Sequence, residues 1–426
     1  MTVAEAQGAV DAVWRIESAR IVAGVARIVR DVGLAEELAQ DALVAALEQW
    51  PESGVPKNPG AWLMAIAKRR AIDLIRRKET YQRKLAELGH ELEIGGESVE
   101  DSVEDRVEAI LEDHIEDDLL RLVFTACHPV LTMDARVSLT LKLLGGLKTD
   151  EIARAFLAPE ATIAQRIVRA KRNLAKAGVE FEVPSGPELL ARLQSVLEVV
   201  YLVYNEGYSA TTGDDWMRPA LCNEAMRLGR LLVELMPTEP EVLGLLALME
   251  LQSSRANART GPDGEPVLLL EQDRRRWDRL LIRRGLEGID RAWALETPPG
   301  PYLLQAAIAA CHARAADPDD TDWARIAGLY AVLAQVTPSP VIELNQAVAI
   351  SMAFGPERGL QAVDLLADDP SLKDYHLLPS VRGDLLFKLG RLDEARTEFE
   401  KARRPHPQRT RTQTPPGTSG DLFGVI

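Results

Sequence analysis

The stretch that decides the fold runs from Asp134 to Ala177, DARVSLTLKLLGGLKTDEIARAFLAPEATIAQRIVRAKRNLAKA. It divides into three helices. The last opens near Pro159, a residue suited to a first helical turn. Ile163, Ile167, Ala170 and Leu174 recur at helical spacing and form an apolar stripe. Thr162, Gln165, Arg166, Arg169, Arg172 and Asn173 lie on the other side. The helix before it, Thr149 to Phe156, is short and amphipathic through Ile152, Ala153 and Phe156, and Leu157-Ala158-Pro159-Glu160 joins the two tightly. A short helix, a tight turn and a basic second helix make a helix-turn-helix pattern. A charged bundle surface would also produce a basic helix. The turn spacing and the confinement of cations to one face favour DNA.

Upstream, residues 9–80 form a first helical module. Val13 to Val29 is long and amphipathic, and Ala35 to Trp50 (AEELAQDALVAALEQW) follows past Gly33. Leu38, Ala42, Ala45 and Ala46 can face a core, while Glu37, Gln40, Asp41 and Glu48 share a polar side. A breaker-rich loop, PESGVPKNPG, spans Pro51 to Gly60. Ala61 to Lys78 then forms a third helix with Leu63, Ala67, Ala71 and Leu74 inside. Trp62, Arg69, Asp73 and Arg76 share another face, with Lys68, Arg70 and Arg77 alongside. Cations that hold phosphates, an aromatic and an adjacent loop suit single-stranded or melting DNA. The competing reading makes Trp62 a core residue and the arginines a solvated face.

Residues 81–133 change character. Glu87, Glu91, Glu93, Glu97, Glu100, Asp101, Glu104, Asp105 and Glu108 crowd a flexible acidic linker, which ends in the apolar segment DDLLRLVFTACHPVLT. Cys127-His128 has no second ligand pair at metal spacing, and a free Cys is commonly a small buried apolar residue. Cys311-His312 is a second such dipeptide.

Composition bounds the rest. The chain has 426 residues, 46% hydrophobic and 27% charged, which fits several globular cores. Its formal net charge of −15 excludes a uniformly basic nucleic-acid coat, so DNA contact must come from local basic faces. Three cysteines without a CxxC fit a reducing cytoplasm. Neither a signal peptide nor an apolar run of membrane-spanning length is apparent, so no membrane association is expected. HExxH, GxSxG and P-loop motifs are all missing, so no enzyme, cofactor or metal site is expected.

After Val183-Pro184-Ser185-Gly186-Pro187, residues 185–405 form a helical extension. Its last part, Leu372 to Pro405, resembles a tetratricopeptide repeat: Gly383, Leu386, Leu389, Gly390, Ala395, Phe399 and Ala402 fall where that helix pair places small and packing residues. A right-handed stack of helical hairpins is expected, with a surface for a protein or peptide. The segment YNEGYSATTGDDWMRP, Tyr204 to Pro219, is an unusual polar-aromatic loop within it. Residues 406–426, rich in Arg, Thr, Pro and Gly, are expected to be a disordered tail. The expected fold class is therefore all-α.

The order of these modules resembles bacterial RNA polymerase sigma factors of the extracytoplasmic-function type, over about residues 9–180. AEELAQD looks like the region 2.2 helix of that family, which would make Glu36, Glu37, Gln40 and Asp41 polymerase contacts. PGAWLMAIAKRRAIDLIRR looks like regions 2.3 and 2.4, which recognise and melt the minus-10 element. That resemblance assigns Asn58, Trp62, Lys68, Arg69, Arg70, Asp73, Arg76 and Arg77 to DNA. Residues 134–180 look like region 4. PEATIAQRIVRAKR matches its minus-35 recognition helix, with Thr162, Gln165, Arg166, Arg169, Lys171 and Arg172 as candidate contacts. Ala164 and Gln165 depart from the family's usual form. The whole chain resembles the group with a long tetratricopeptide-like extension thought to regulate the sigma factor in cis. The implied partners are promoter DNA and core RNA polymerase, through its β′ clamp helices and β flap. The rival reading is a one-component helix-turn-helix regulator with a helical sensor or scaffold, which leaves the Trp-and-Arg helix of the first module unexplained.

Overall fold

A computed structural model describes residues 3–90, 115–156, 158–208, 218–261, 265, 267–367, 369–372, 375 and 377–403. Most of the acidic linker, the polar-aromatic loop from 209 to 217 and the C-terminal tail lie outside the described residues. Among the described residues there are seventeen α-helices and no β-strand, as the sequence leads one to expect. Packing divides the chain into two compact units. One holds residues up to Glu206 together with those up to Glu224; the other holds Gly207, Tyr208 and the chain from Ala225 on.

The first unit opens with α1 (Val3–Val29), α2 (Val32–Ser53) and α3 (Pro59–His90). Asp31 starts α2 by accepting the Leu34 N–H at 2.9 Å. Asn58 starts α3 in the same way, accepting the Ala61 N–H at 3.1 Å, with Pro59 as its first residue. Leu38, Ala42, Ala45 and Ala46 of α2 and Leu63, Ala67 and Ala71 of α3 are buried, as their spacing predicts; Leu74 is only half-buried. Helix α3 continues through His90, twelve residues past the end the sequence suggests. The charged run that follows Lys78 therefore begins as helix rather than linker.

Helices α4 (Ile115–Ala126), α5 (Met133–Leu143), α6 (Thr149–Ala155), α7 (Glu160–Lys176) and α8 (Pro187–Tyr208) follow. The apolar segment DDLLRLVFTA is thus α4, packed on α1 and α5. Helices α5, α6 and α7 pack on one another as the helix-turn-helix pattern requires. The Gly145-Gly146 turn fits only glycine: Gly146 has φ +64°, and a Cβ there would meet Ser18 Oγ of α1 at 2.7 Å.

The second unit is a run of helices, α9 (Pro219–Leu235, from Ala225), α10 (Pro240–Ser253), α11 (Arg279–Trp293), α12 (Pro301–Arg314), α13 (Trp323–Val336), α14 (Pro340–Phe354), α15 (Pro356–Asp364), α16 (Leu377–Lys388) and α17 (Leu392–Ala402), and from α10 on each packs on the next. Glu241 begins α12 by accepting the Tyr302 and Leu303 N–H groups at 2.9 and 3.1 Å. In the last hairpin Gly383 lets the Phe399 ring come so close that a Cβ would lie 2.9 Å from it. That contact accounts for two of the residues that suggest a repeat-like pair there.

Candidate nucleic-acid interface

Helix α7 presents the faces its sequence predicts. Ile163, Ile167, Ala170 and Leu174 are buried. Gln165, Arg169 and Arg172 are exposed and Thr162 is half-buried. At about 100° per residue these four share a wedge of roughly 80°. Arg166 stands at one flank, half-buried, and pairs with Asp134 at 3.2 Å.

Lys171 is different. It follows Arg169 by two residues, so it points to the opposite side of the helix. There it meets Glu36 of α2, while Lys142 of α5 approaches the same carboxylate at 3.7 Å. Gln40 donates to Glu36 at 2.8 Å. Glu36 is only 4% exposed. Sequence reasoning placed Lys171 on the DNA side and Glu36 on a polymerase-facing surface. In this structure each is spent on the other. The contact joins α2 and α7, more than a hundred residues apart, which local periodicity cannot show.

Other pairs draw the same two modules together. Arg15 donates to Glu151 at 2.5 Å, and Lys148 to Asp11 at 3.1 Å. Arg27 of α1 lies 3.4 Å from the buried Asp118 of α4, which also accepts from Arg121 at 2.6 Å. Burial raises the Asp118 carboxyl above its usual range against the pull of both arginines.

Helix α3 shows the other pattern. Arg69, Asp73, Arg76 and Arg77 are exposed, and Lys68 and Arg70 are half-buried. Arg70 pairs with Asp41 of α2 at 3.1 Å. Glu37, Gln40 and Asp41 are exposed beside it. Trp62 is half-buried, with its ring edge-on to the buried Trp50 at 5.7 Å between centroids. It is anchored in the core on one side and open on the other, so it is neither of the two extremes the sequence allows. Asn58, implied as a DNA contact, holds the start of α3 through its side chain.

The Cys-His pairs serve packing. Cys127 is buried, with its Sγ 3.3 Å from Thr140 Oγ1, and burial pushes its thiol up to about 11. His128 Nδ1 accepts the Val130 N–H at 3.1 Å and shapes the turn after α4. Cys311 is buried on α12, donating to the Ala307 carbonyl at 3.4 Å, and His312 is buried beside it.

Sequence comparison separates the chain in the same way. Sigma-70 region 2 matches residues 16–102, and sigma-70 region 4 matches residues 121–174. A family of unknown function (DUF6596) matches residues 192–293. An uncharacterized protein of Rhizobium meliloti is 44% identical over 376 residues, 88% of this chain and 87% of that one. The ECF RNA polymerase sigma factor SigK of Mycobacterium tuberculosis (strain ATCC 25618 / H37Rv) is 29% identical over 156 residues, 36% of this chain and 78% of its own length. SigK of Mycobacterium ulcerans is 28% identical over 157 residues, with the same coverage. Two sigma regions in the right order, each with its basic helix, followed by a helical extension, carry the assignment: the chain belongs to the sigma-70 family of RNA polymerase sigma factors, of the extracytoplasmic-function type, with a C-terminal helical extension.

Proposed function

We infer that this sigma factor binds core RNA polymerase, recognises the minus-10 and minus-35 promoter elements and initiates transcription. It performs no covalent chemistry. Its work is binding and strand separation. The observation that supports this best is the pair of basic helices, α3 and α7, each set on its own buried stripe and separated by the linker. Arg69, Arg76 and Arg77 would hold phosphates of the opening minus-10 strand, with the half-buried Trp62 supporting an unstacked base. Gln165, Arg169 and Arg172 would enter the major groove at minus-35, with Thr162 and Arg166 at the margin. Glu37, Gln40 and Asp41 would meet the β′ clamp helices, and region 4 the β flap.

Glu36 belongs to that polymerase-facing set, yet Lys142 and Lys171 cover it. We propose that the two modules separate when polymerase binds and that Glu36 then changes partners. The extension would regulate the factor in cis, through a protein or peptide bound on its helical surface. The protein would act in the cytoplasm.

Run-off transcription with purified core polymerase and the full-length chain tests the reading. The wild type should start at a promoter it selects from a fragment library, and core polymerase alone should not. Glu37→Lys should weaken core binding by about tenfold or more, because it reverses a charge in the contact. Normal core affinity in that variant would refute the clamp role. Tight duplex binding without polymerase would favour the one-component regulator.

A further inference from the structure

We propose that Arg218, which lies beyond the residues 121–174 matched to region 4, is a positioning residue of the minus-35 reader. The inference rests on the sigma reading above. A short helix leaves its last carbonyls without intrahelical partners. Helix α6 has seven residues and ends at the turn that sets the angle of α7. The carbonyl of its last residue, Ala155, receives the Arg218 Nη1–H at 2.5 Å. The second proton on the same nitrogen goes to Glu206 Oε1 at 2.7 Å. Glu206 is a buried residue of α8, so its charge fixes where the guanidinium sits. Arg218 itself directly precedes α9, whose first residue is Pro219. The turn of the helix-turn-helix is therefore held from outside region 4, by a residue between two later helices.

Neighbouring contacts point the same way. Glu224 of α9 lies against the α5–α6 turn, where a Cβ on Gly145 would come 3.0 Å from its Oε1. Helix α8 grips the other end of region 4. Arg192 donates to the Phe124 carbonyl at 3.0 Å, and Ser195 donates to the Cys127 carbonyl at 2.7 Å. Arg136 of α5 reaches back to Ser195 Oγ at 2.6 Å. All these residues belong to the first compact unit. Residues 187–206 and 218–224 of the extension thus belong to the same compact unit as the minus-35 module.

The test uses full-length variants assembled with core polymerase and two templates. One promoter carries both elements. The other is a pre-opened fork that carries the minus-10 element alone. Arg218→Ala should lower initiation from the two-element promoter by about tenfold, the scale of one lost base contact. Core affinity and use of the fork should stay at wild-type levels. Because Arg218→Ala leaves Glu206 buried without its partner, the paired variant E206L/R218L is measured beside it; removing both charges together spares the fold. The paired variant should keep the minus-35 defect, and Arg218→Lys should recover part of the activity. An equal fall on both templates for the paired variant, or wild-type use of the two-element promoter by it, overturns the assignment. If the wild type starts from neither template, it is the sigma reading that fails.

Discussion

Helices α3 and α7 carry the same sequence signature, an apolar stripe opposed by arginine and lysine, yet they stand in different states. Helix α3 keeps Arg69, Arg76 and Arg77 on an open face and pairs Arg70 with the exposed Asp41. Helix α7 commits Arg166 to Asp134 and Lys171 to the buried Glu36. A surface pair such as Arg70–Asp41 is worth little, typically under about 1 kcal/mol. An ion pair around a buried carboxylate is costly to break, because removing one partner leaves a charge in low dielectric. The difference teaches that a basic amphipathic helix announces a capacity for nucleic acid, while distant partners decide whether that capacity is free. Here α3 keeps an open basic face, and α7 is partly engaged by its own chain.

The sharpest break of this contrast is on α3. Arg76→Ala with Arg77→Ala should cut promoter opening by about a hundredfold, since two charge-assisted contacts at roughly 1.5 kcal/mol each are lost. The salt slope of binding should shrink by about 1.4–1.8, as expected for two phosphate contacts. A loss without any change in slope would show that these arginines do not touch the backbone of DNA.

The next effect is on α7. Arg169→Ala should reduce initiation from a promoter with both elements by about tenfold, and should relax preference at one minus-35 position. Core affinity should not change, because Arg169 lies on the exposed wedge away from α2. A uniform loss over all minus-35 sequences would reassign Arg169 from base reading to phosphate contact.

What the sequence made legible follows from range. The stripe of α7 could be read because it is local: all four of its predicted core residues are buried. So are the four predicted core residues of α2. Asn58 ahead of Pro59 carries a helix-start signal in the sequence, and in the structure its side chain accepts the Ala61 N–H. The end of α3 was misplaced because a crowded charge run resembles a linker, although a helix can hold such a run on its solvated side. The burial of Glu36 could not be read, since both of the lysines that cover it come from other helices, α5 and α7. The Pro-Ser-Gly-Pro segment at residues 184–187 suggests a break in the chain, but packing carries the first compact unit past it to Glu224. Hydrogen bonds from Arg192, Ser195 and Arg218 to backbone carbonyls leave no pattern in sequence, because every residue has a carbonyl to offer.

The smallest expected effect is the most discriminating, because it has the opposite sign. Lys171→Met removes one of the two ammonium groups that cover Glu36 and keeps the length of the side chain. With Lys142 alone at 3.7 Å, the buried carboxylate is undercompensated, and the cost falls on the packed arrangement of the two modules. An arrangement in which Glu36 faces water pays no such cost. The variant should therefore shift the population toward separated modules and bind core polymerase about threefold to tenfold more tightly. Its choice of minus-35 sequence should stay that of the wild type, because Lys171 points away from Arg169. If Lys171 reads DNA, the same substitution should instead weaken minus-35 use and leave core affinity alone. Titrating the variant and the wild type against core polymerase, then against a set of minus-35 variants, separates the two roles, since each predicts a change where the other predicts none.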